Sequence, residues 1–432
     1  MATATPDGRQ ETGRVVEGRR DARSLLRRFR VPLAVVLGLI FAVHGFTISF
    51  DALFAKRNFA LTARVTGSPE ASVRAWQVAA TRDPALIANA AIRSHAAAAI
   101  RREPLGAEAL RALAFHEDGA RNRQRAAELA GLSQDVTRRD ELNQILLARF
   151  AAREEDVAGA MHHLGIALTT SRRTREEVFA LMLPLLSNPE FKQALAGEID
   201  ERNEWIAAFT RLALISNGVD VRDLADIFLQ ARPQDAGSLA RATGPDFLTR
   251  LARSTDAERT RALFALQYPE ELPILRDAGI TRETARSALG LLGWSPVKSG
   301  TAGAQLGETA SGGFGALAFT ANSDDGQPVL RRALFLPTGN YTLTERRSTQ
   351  APSGVTASGS SDFRWTVQCE NGGAWQQIET RQVSAGAMGF SLPPDCPMQI
   401  LELQVAAPRG PSRAEIVIEA LDVRLAAPTS RP

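Results

Sequence analysis

Cysteine, tyrosine, histidine and lysine are all scarce in this chain of 432 residues, which has two cysteines, two tyrosines and five histidines. Lysine occurs only at Lys56, Lys192 and Lys298. Each shortage excludes some chemistry. Two cysteines, Cys369 and Cys396, cannot build a four-thiolate zinc cage. The histidines are His44, His95, His116, His162 and His163, so the chain beyond residue 163 cannot supply a Ser-His-Asp triad alone. His162 and His163 are adjacent, and on a helix they point ~100° apart. They miss the i, i+4 spacing of a helical zinc pair. No Walker loop is present, because Lys298 follows Val297 rather than glycine. Gly312-Gly313-Phe314-Gly315 lacks the spacing and the strand–helix setting of a dinucleotide fingerprint. No catalytic, cofactor-binding or metal-ligating residue is assigned, and the chain is expected not to be an enzyme.

A basic surface is missing as well. The net charge is +3. Residues 1–30 hold eight arginines against four acids, so they carry more than the whole excess. The remainder is nearly neutral, and nucleic acid is not expected as a partner.

One long apolar run is present. Val31–Phe50 contains no Asp, Glu, Lys or Arg. As a helix it would span ~30 Å, one hydrocarbon core. Arg19, Arg20, Arg23, Arg27, Arg28 and Arg30 precede it, while Lys56 and Arg57 follow. The positive-inside rule then places the N-terminus in the cytoplasm. A cleaved signal usually has a shorter apolar core of ~7–15 residues, and a globular core helix is seldom apolar all round. The expectation is a bacterial inner-membrane protein with a single transmembrane helix at 31–50. Its basic cytoplasmic tail, 1–30, would lie near lipid headgroups, and the bulk of the chain would be periplasmic.

From 52 to 293 apolar residues recur at helical steps, as in Ala107, Leu110, Leu113 and Ala114. Breaks such as Asn188-Pro189, Arg232-Pro233 and Gly244-Pro245 divide the run into segments suited to helical hairpins. Ala126, Ala160 and Ala194 are spaced by 34 residues, and Ser133 and Ala167 repeat that interval. Residues 294–313 are rich in glycine, serine, threonine and alanine and read as a linker. From 314 to 426 strict alternation takes over. Phe363, Trp365, Val367 and Cys369 share one face, as do Leu401, Leu403 and Val405. In the last strand Ile416 and Ile418 give way to Leu421, Val423 and Leu425, and this change of phase places a bulge near Ala420. About eight short strands separated by turn signals indicate a β-sandwich. Residues 427–432 form a tail.

Cys369 falls at a strand end facing the core. A structural disulfide to Cys396 is expected, worth about 3 kcal/mol in the chain-entropy model. Two buried free thiols are the alternative. Sugar binding would need an exposed aromatic beside polar groups. Trp375, with Gln377, Glu379 and Arg364, is the candidate glycan contact, and the alternative is that Trp375 caps the sandwich edge.

Two resemblances extend this reading. The stretch Glu155 to Leu168, with Ala160 and Ala167 as small packing positions, resembles the second helix of a tetratricopeptide repeat. Ala126 and Ala194 fall at the matching positions of its neighbours. The first-helix Trp and Tyr of that pattern are missing here. Leu336-Pro337-Thr338-Gly339-Asn340-Tyr341-Thr342-Leu343 and Leu421-Asp422-Val423-Arg424-Leu425 resemble elements of jelly-roll, galactose-binding-like modules. The fold class is therefore multidomain α then β: a transmembrane helix, an α-solenoid of tetratricopeptide-like hairpins, and an antiparallel β-sandwich. These resemblances imply a scaffold or adaptor in envelope assembly, with polysaccharide-assembly proteins as partners. A glycan-binding protein is the first alternative, and an enzyme with a site at the domain junction is the second.

Overall fold

In this computed structural model the described residues are 42, 58–82, 90–298, 302–320, 326–348, 363–371, 374–382, 387–405 and 414–426. They run from helices to antiparallel strands, so the α-then-β order holds. They divide into two compact units, one up to Leu147 and one from Ala148.

The membrane expectation is corrected here. Among the described residues no helix is long and apolar enough to cross a membrane. The run at 31–50, on which that expectation rested, lies outside the described residues apart from Ala42. Single-pass inner-membrane anchoring, with the periplasmic placement that depended on it, is not supported.

The first unit holds α1 (Phe59–Thr66), α2 (Pro69–Arg82), α3 (Ala90–Arg102), α4 (Ala107–Gly119) and α5 (Arg123–Val136). The division falls inside α6 (Glu141–Arg153). The second unit continues with α7 (Val157–Thr170), α8 (Arg175–Met182), α9 (Pro189–Gly197) and α10 (Trp205–Ile215). Then come α11 (Val221–Gln230), α12 (Pro233–Ala242), α13 (Asp246–Arg253) and α14 (Ala257–Gln267).

Local chemistry explains these boundaries. The prolines at 189 and 233 open α9 and α12, because the first turn needs no N–H from them. Asn188 Oδ1 accepts from the amides of Glu190 at 2.8 Å and Phe191 at 3.1 Å, which caps α9. Three hairpin turns share one device. Arg121, Glu155 and Thr255 sit at positive φ, and each is followed by the N-cap of the next helix, Asn122, Asp156 or Asp256.

The 34-residue period seen in the alanines is also written in hydrogen bonds. Arg74 to Glu108, Arg111 to Gln77, Thr169 to Asn203 and Lys192 to Asp226 each join residues 34 apart. Helical repeats are thus present in both units. The interval continues to Asp226, well past residue 200, where the sequence pattern fades. Ala126 and Ala167 are fully buried between helices, whereas Ala160 and Ala194 are half-buried.

Among the described residues the second unit ends in ten strands: β1 (Ser295–Pro296), β2 (Gly303–Glu308), β3 (Phe314–Thr320), β4 (Pro328–Leu334), β5 (Gly339–Ser348), β6 (Phe363–Asn371), β7 (Ala374–Gln382), β8 (Ala387–Leu392), β9 (Gln399–Val405) and β10 (Ala414–Leu425). They form two five-stranded antiparallel sheets, ordered β1-β4-β9-β6-β7 and β2-β3-β10-β5-β8. Phe363, Trp365, Val367, Leu401 and Leu403 of one sheet share a core with Leu343, Met388, Ile416 and Ile418 of the other, which makes a sandwich. The bulge falls between Ile418 and Ala420, where the alternation changes phase. β1 and β2 lie inside the stretch read as linker, where glycine and alanine give no alternation to detect.

The disulfide between Cys369 and Cys396 is present, with Cα atoms 5.5 Å apart. It ties the end of β6 to the turn before β9. Gln399 Nε2 donates to Cys396 O at 2.7 Å and steadies that turn.

Helices and sandwich of this unit share a second core. Ala333, Phe335, Met398 and Ile400 pack in one cluster with Phe247, Leu251, Phe264 and Leu292. In consequence β9 is buried along both faces, and Glu402 and Gln404 are covered although they alternate with core residues. The irregular segment after α14, with 3₁₀ turns at Pro269–Arg276 and Ser287–Leu292, closes one side of the sandwich through Ala278, Ile280 and Trp294. It pairs some of its carbonyls internally, Ile274 O with Asp277 N at 3.1 Å and Gly279 O with Thr284 Oγ1 at 2.7 Å, and a strand residue adds further donors. Arg332, with no exposed surface, donates to Leu292 O at 3.1 Å, Gly279 O at 3.4 Å and Ile274 O at 2.6 Å. Its guanidinium also lies 5.9 Å from the Trp294 ring centroid. Burial lowers its pKa to about 10, which still leaves it charged at neutral pH.

Candidate functional site

A cavity of about 560 Å³ lies in the first unit. Its walls come from α2, the α3–α4 turn, α4, and the turn that leads into α6. The floor is a ladder of charge pairs. Arg74 Nε meets Glu108 Oε2 at 2.6 Å. Arg111, only 7% exposed, pairs with Asp140 and donates to Gln77 Oε1 at 2.8 Å. These contacts tie α2 to α4 and α4 to the turn before α6. Side-chain bonds also hold the turns around the cavity. Ser133 Oγ donates to Ala107 O at 3.0 Å, and Asn143 Nδ2 donates to Ala130 O at 2.9 Å.

Beside this groove lies an apolar recess of about 460 Å³. Leu105 is 73% exposed, Leu132 50% and Val136 37%, and Leu110 forms its base. Leu105 is held outward by the Pro104-Leu105-Gly106 turn, where Gly106 N donates to Glu103 O at 3.0 Å. α5 buries Ala126, Leu129, Ala130 and Ser133 on one side. Leu132 and Val136 form a second stripe at i, i+4 that this burial leaves in solvent. Leu105, Leu132 and Val136 thus face water together around one recess. The sequence reading missed them. The available signals were a leucine set between proline and glycine and a second apolar stripe on a helix that already had one.

Two further polar clusters belong to the second unit. Lys192 on α9 lies 3.0 Å from Asp223 and 3.1 Å from Asp226 on α11. Arg259 on α14 then reaches Asp226 at 2.7 Å and Asp256 at 2.7 Å. Burial opposes charge at Lys192, but its hydrogen bonds to the two aspartates outweigh this and hold its pKa above the ordinary lysine value. At Asp226 burial works toward a higher pKa, and the bonds from Arg259 and Lys192 bring it below the ordinary carboxylate value. This array is a brace between three helices. His162 Nδ1 meets Glu198 Oε1 at 3.3 Å, and burial raises the pKa of that carboxyl despite the histidine. Gly165 leaves the space that the Glu198 carboxylate enters.

The residues singled out for glycan binding do not form one platform. Trp375 stands opposite Glu370, and Gln377 opposite Gln368, on one face of β7. Trp375 is half-buried and packs against the core shared with the helices. A register shift at Ile378 puts Glu379 opposite Val367, on the other face, where simple alternation had grouped it with Trp375. Arg364 shares the Trp375 face, but it stands opposite Gln382 at the far end of the strand pair, about 20 Å along the sheet.

No family model matches this chain, and no curated protein does. Among solved structures, it is similar to a chain of accessory secretory protein 1,2 and 3 in Streptococcus pneumoniae at 10% identity and a TM-score of 0.22. That match covers 29% of this chain and 89% of the other. A chain of the Glycosylation Associate Protein (Gap123) complex from Streptococcus agalactiae matches at 9% identity and a TM-score of 0.21. It covers 28% of this chain and 39% of that one. At such scores neither likeness carries an argument.

Proposed function

We propose that this chain is a non-catalytic scaffold or adaptor that docks partner proteins on its helical repeats. The observation that carries the reading is the exposed apolar recess of Leu105, Leu132 and Val136 beside the charged groove of the first unit. Helical repeats are quasi-one-dimensional stacks, and their open surfaces suit extended partners. The 34-residue interval supports a tetratricopeptide-like arrangement of hairpins. The resemblance of the β half to jelly-roll modules supports a setting in envelope or polysaccharide assembly.

The test compares partners recovered by the full chain and by a Leu105→Asp, Leu132→Asp double variant. Both side chains are exposed, so the fold should survive, as circular dichroism would verify. A defined set of partners that crosslinks to the unaltered chain and is lost from the variant supports the reading. The same partners recovered from both would refute it.

A further inference from the structure

The second unit carries a separate pocket that the repeat groove does not use. It holds about 410 Å³ and is lined by Arg261, Leu272, Pro273, Leu275, Arg276 and Phe335. Three elements build it. Arg261 projects from α14, and residues 272–276 come from the 3₁₀ segment. Phe335 follows β4, and its amide donates to Leu275 O at 2.8 Å, which fixes the floor against the sandwich. Leu275 and Phe335 are buried, whereas Leu272 and Pro273 stand exposed.

The charge at this pocket is one-sided. Its only charged lining residues are two arginines, both exposed. Neither guanidinium has an ion pair among the described residues. Of the acids in the 3₁₀ segment and just after it, Glu271 pairs with Arg286, and Asp277 Oδ1 accepts from Gly279 N at 2.8 Å. In the same unit Lys192 and Arg259, by contrast, are matched by three aspartates. An apolar floor beneath two unmatched guanidiniums is complementary to a ligand with an apolar body and flanking carboxylates.

We propose that this pocket docks an acidic segment of a partner protein, with one large apolar side chain in the cavity and carboxylates on Arg261 and Arg276. The inference rests on the scaffold reading and adds a second contact point of defined chemistry. Two cations on different elements suit a peptide with acids on either side of its anchor. A fatty acid brings a single carboxylate at one end.

The experiment uses the full chain and a fluorescein-labelled peptide, Asp-Glu-Leu-Phe-Asp-Glu, read by anisotropy. The control peptide has lysine at every acidic position, and decanoate is the small amphipathic acid. The acidic peptide should bind, weaken steeply with salt, and lose about tenfold in affinity in Arg261→Glu, Arg276→Glu. Leu272→Asp should weaken it as well. Leu132→Asp should leave it unchanged, which separates this pocket from the first unit's recess. No binding, equal binding of the lysine peptide, or indifference to the arginine variants would overturn the proposal. Binding of decanoate without the peptide would overturn it too, by assigning the pocket to a small acid. None of these failures touches the partner set that depends on Leu105 and Leu132.

Discussion

The two units are built from different side chains. The clustered core of the first comprises Val73, Ile92, Ala96, Ala99, Ala109 and Ala112, so four of its six members are alanine. The second unit is filled by aromatics: Trp205, Phe209, Phe228, Phe247 and Phe264 are all essentially unexposed. Alanine lets helices approach closely but removes little apolar surface from water, roughly one methyl per residue. A buried aromatic ring removes far more. Alanine interfaces also leave larger apolar residues free, and six described ones in the first unit face solvent: Leu61, Val65, Val78, Leu105, Leu132 and Val136. The unit with the thinner core carries the recess proposed above for docking, but the second unit also exposes large apolar residues, Leu181 and Ile215 among them.

The largest effect should come from the aromatic core. Phe247 lies edge-on to Phe228 with ring centroids 5.4 Å apart. Phe247→Ala should lower stability by about 3–5 kcal/mol in urea titration. The counterpart in the first unit, Ala112→Gly, should cost only about 1 kcal/mol through helix propensity. Equal losses would break the comparison.

Arg332→Met tests whether the polar plug of the second unit matters as much as its rings. It removes the Arg332 donor to Leu292 O, while Ile274 O keeps Asp277 N and Gly279 O keeps Thr284 Oγ1 and Trp294 Nε1, and should cost about 2 kcal/mol. A neutral result would mean that solvent reaches the Leu292 carbonyl.

Replacing both Cys369 and Cys396 by alanine opens a link across 27 positions and should cost about 3 kcal/mol. Residue-resolved hydrogen exchange should show the loss in the second unit, with protection of the first unchanged.

The smallest effect is electrostatic. Asp226 is held below its ordinary pKa by Arg259 and Lys192, so its contribution is complete above the unfolded value, near 3.9. That contribution disappears as pH falls through the depressed native value. Asp226→Asn should remove about 1 kcal/mol at neutral pH and flatten the acid limb of the stability profile. An unchanged acid limb would show that the brace is energetically idle.

Much of the β half was legible. Phe314–Thr320 was readable residue for residue, and the bulge at Ala420 followed from a change of phase. Side-chain period 2 exposes such shifts directly. The burial of Glu402 and Gln404 was not legible, because alternation assigns them to solvent and only the helices of the same unit cover that face. Glu379 was misassigned for a related reason: a bulge inside β7 has no signature when both flanking residues are polar. In the helical part the alanine spacing was visible, but its continuation beyond residue 200 is carried by one hydrogen bond, Thr169 to Asn203, and one ion pair, Lys192 to Asp226, which differ in type while keeping the interval.

The sequence by itself determined the order of helix and strand, the 34-residue interval, the alternating faces and the partner of Cys369, because these depend on local periodicity and on a count of two. Tertiary structure decided which apolar residues stay exposed, where Arg332 finds acceptors, and which cations go unmatched at the Leu272 pocket. Those outcomes depend on which surfaces meet, and residues far apart in the chain settle that by packing together.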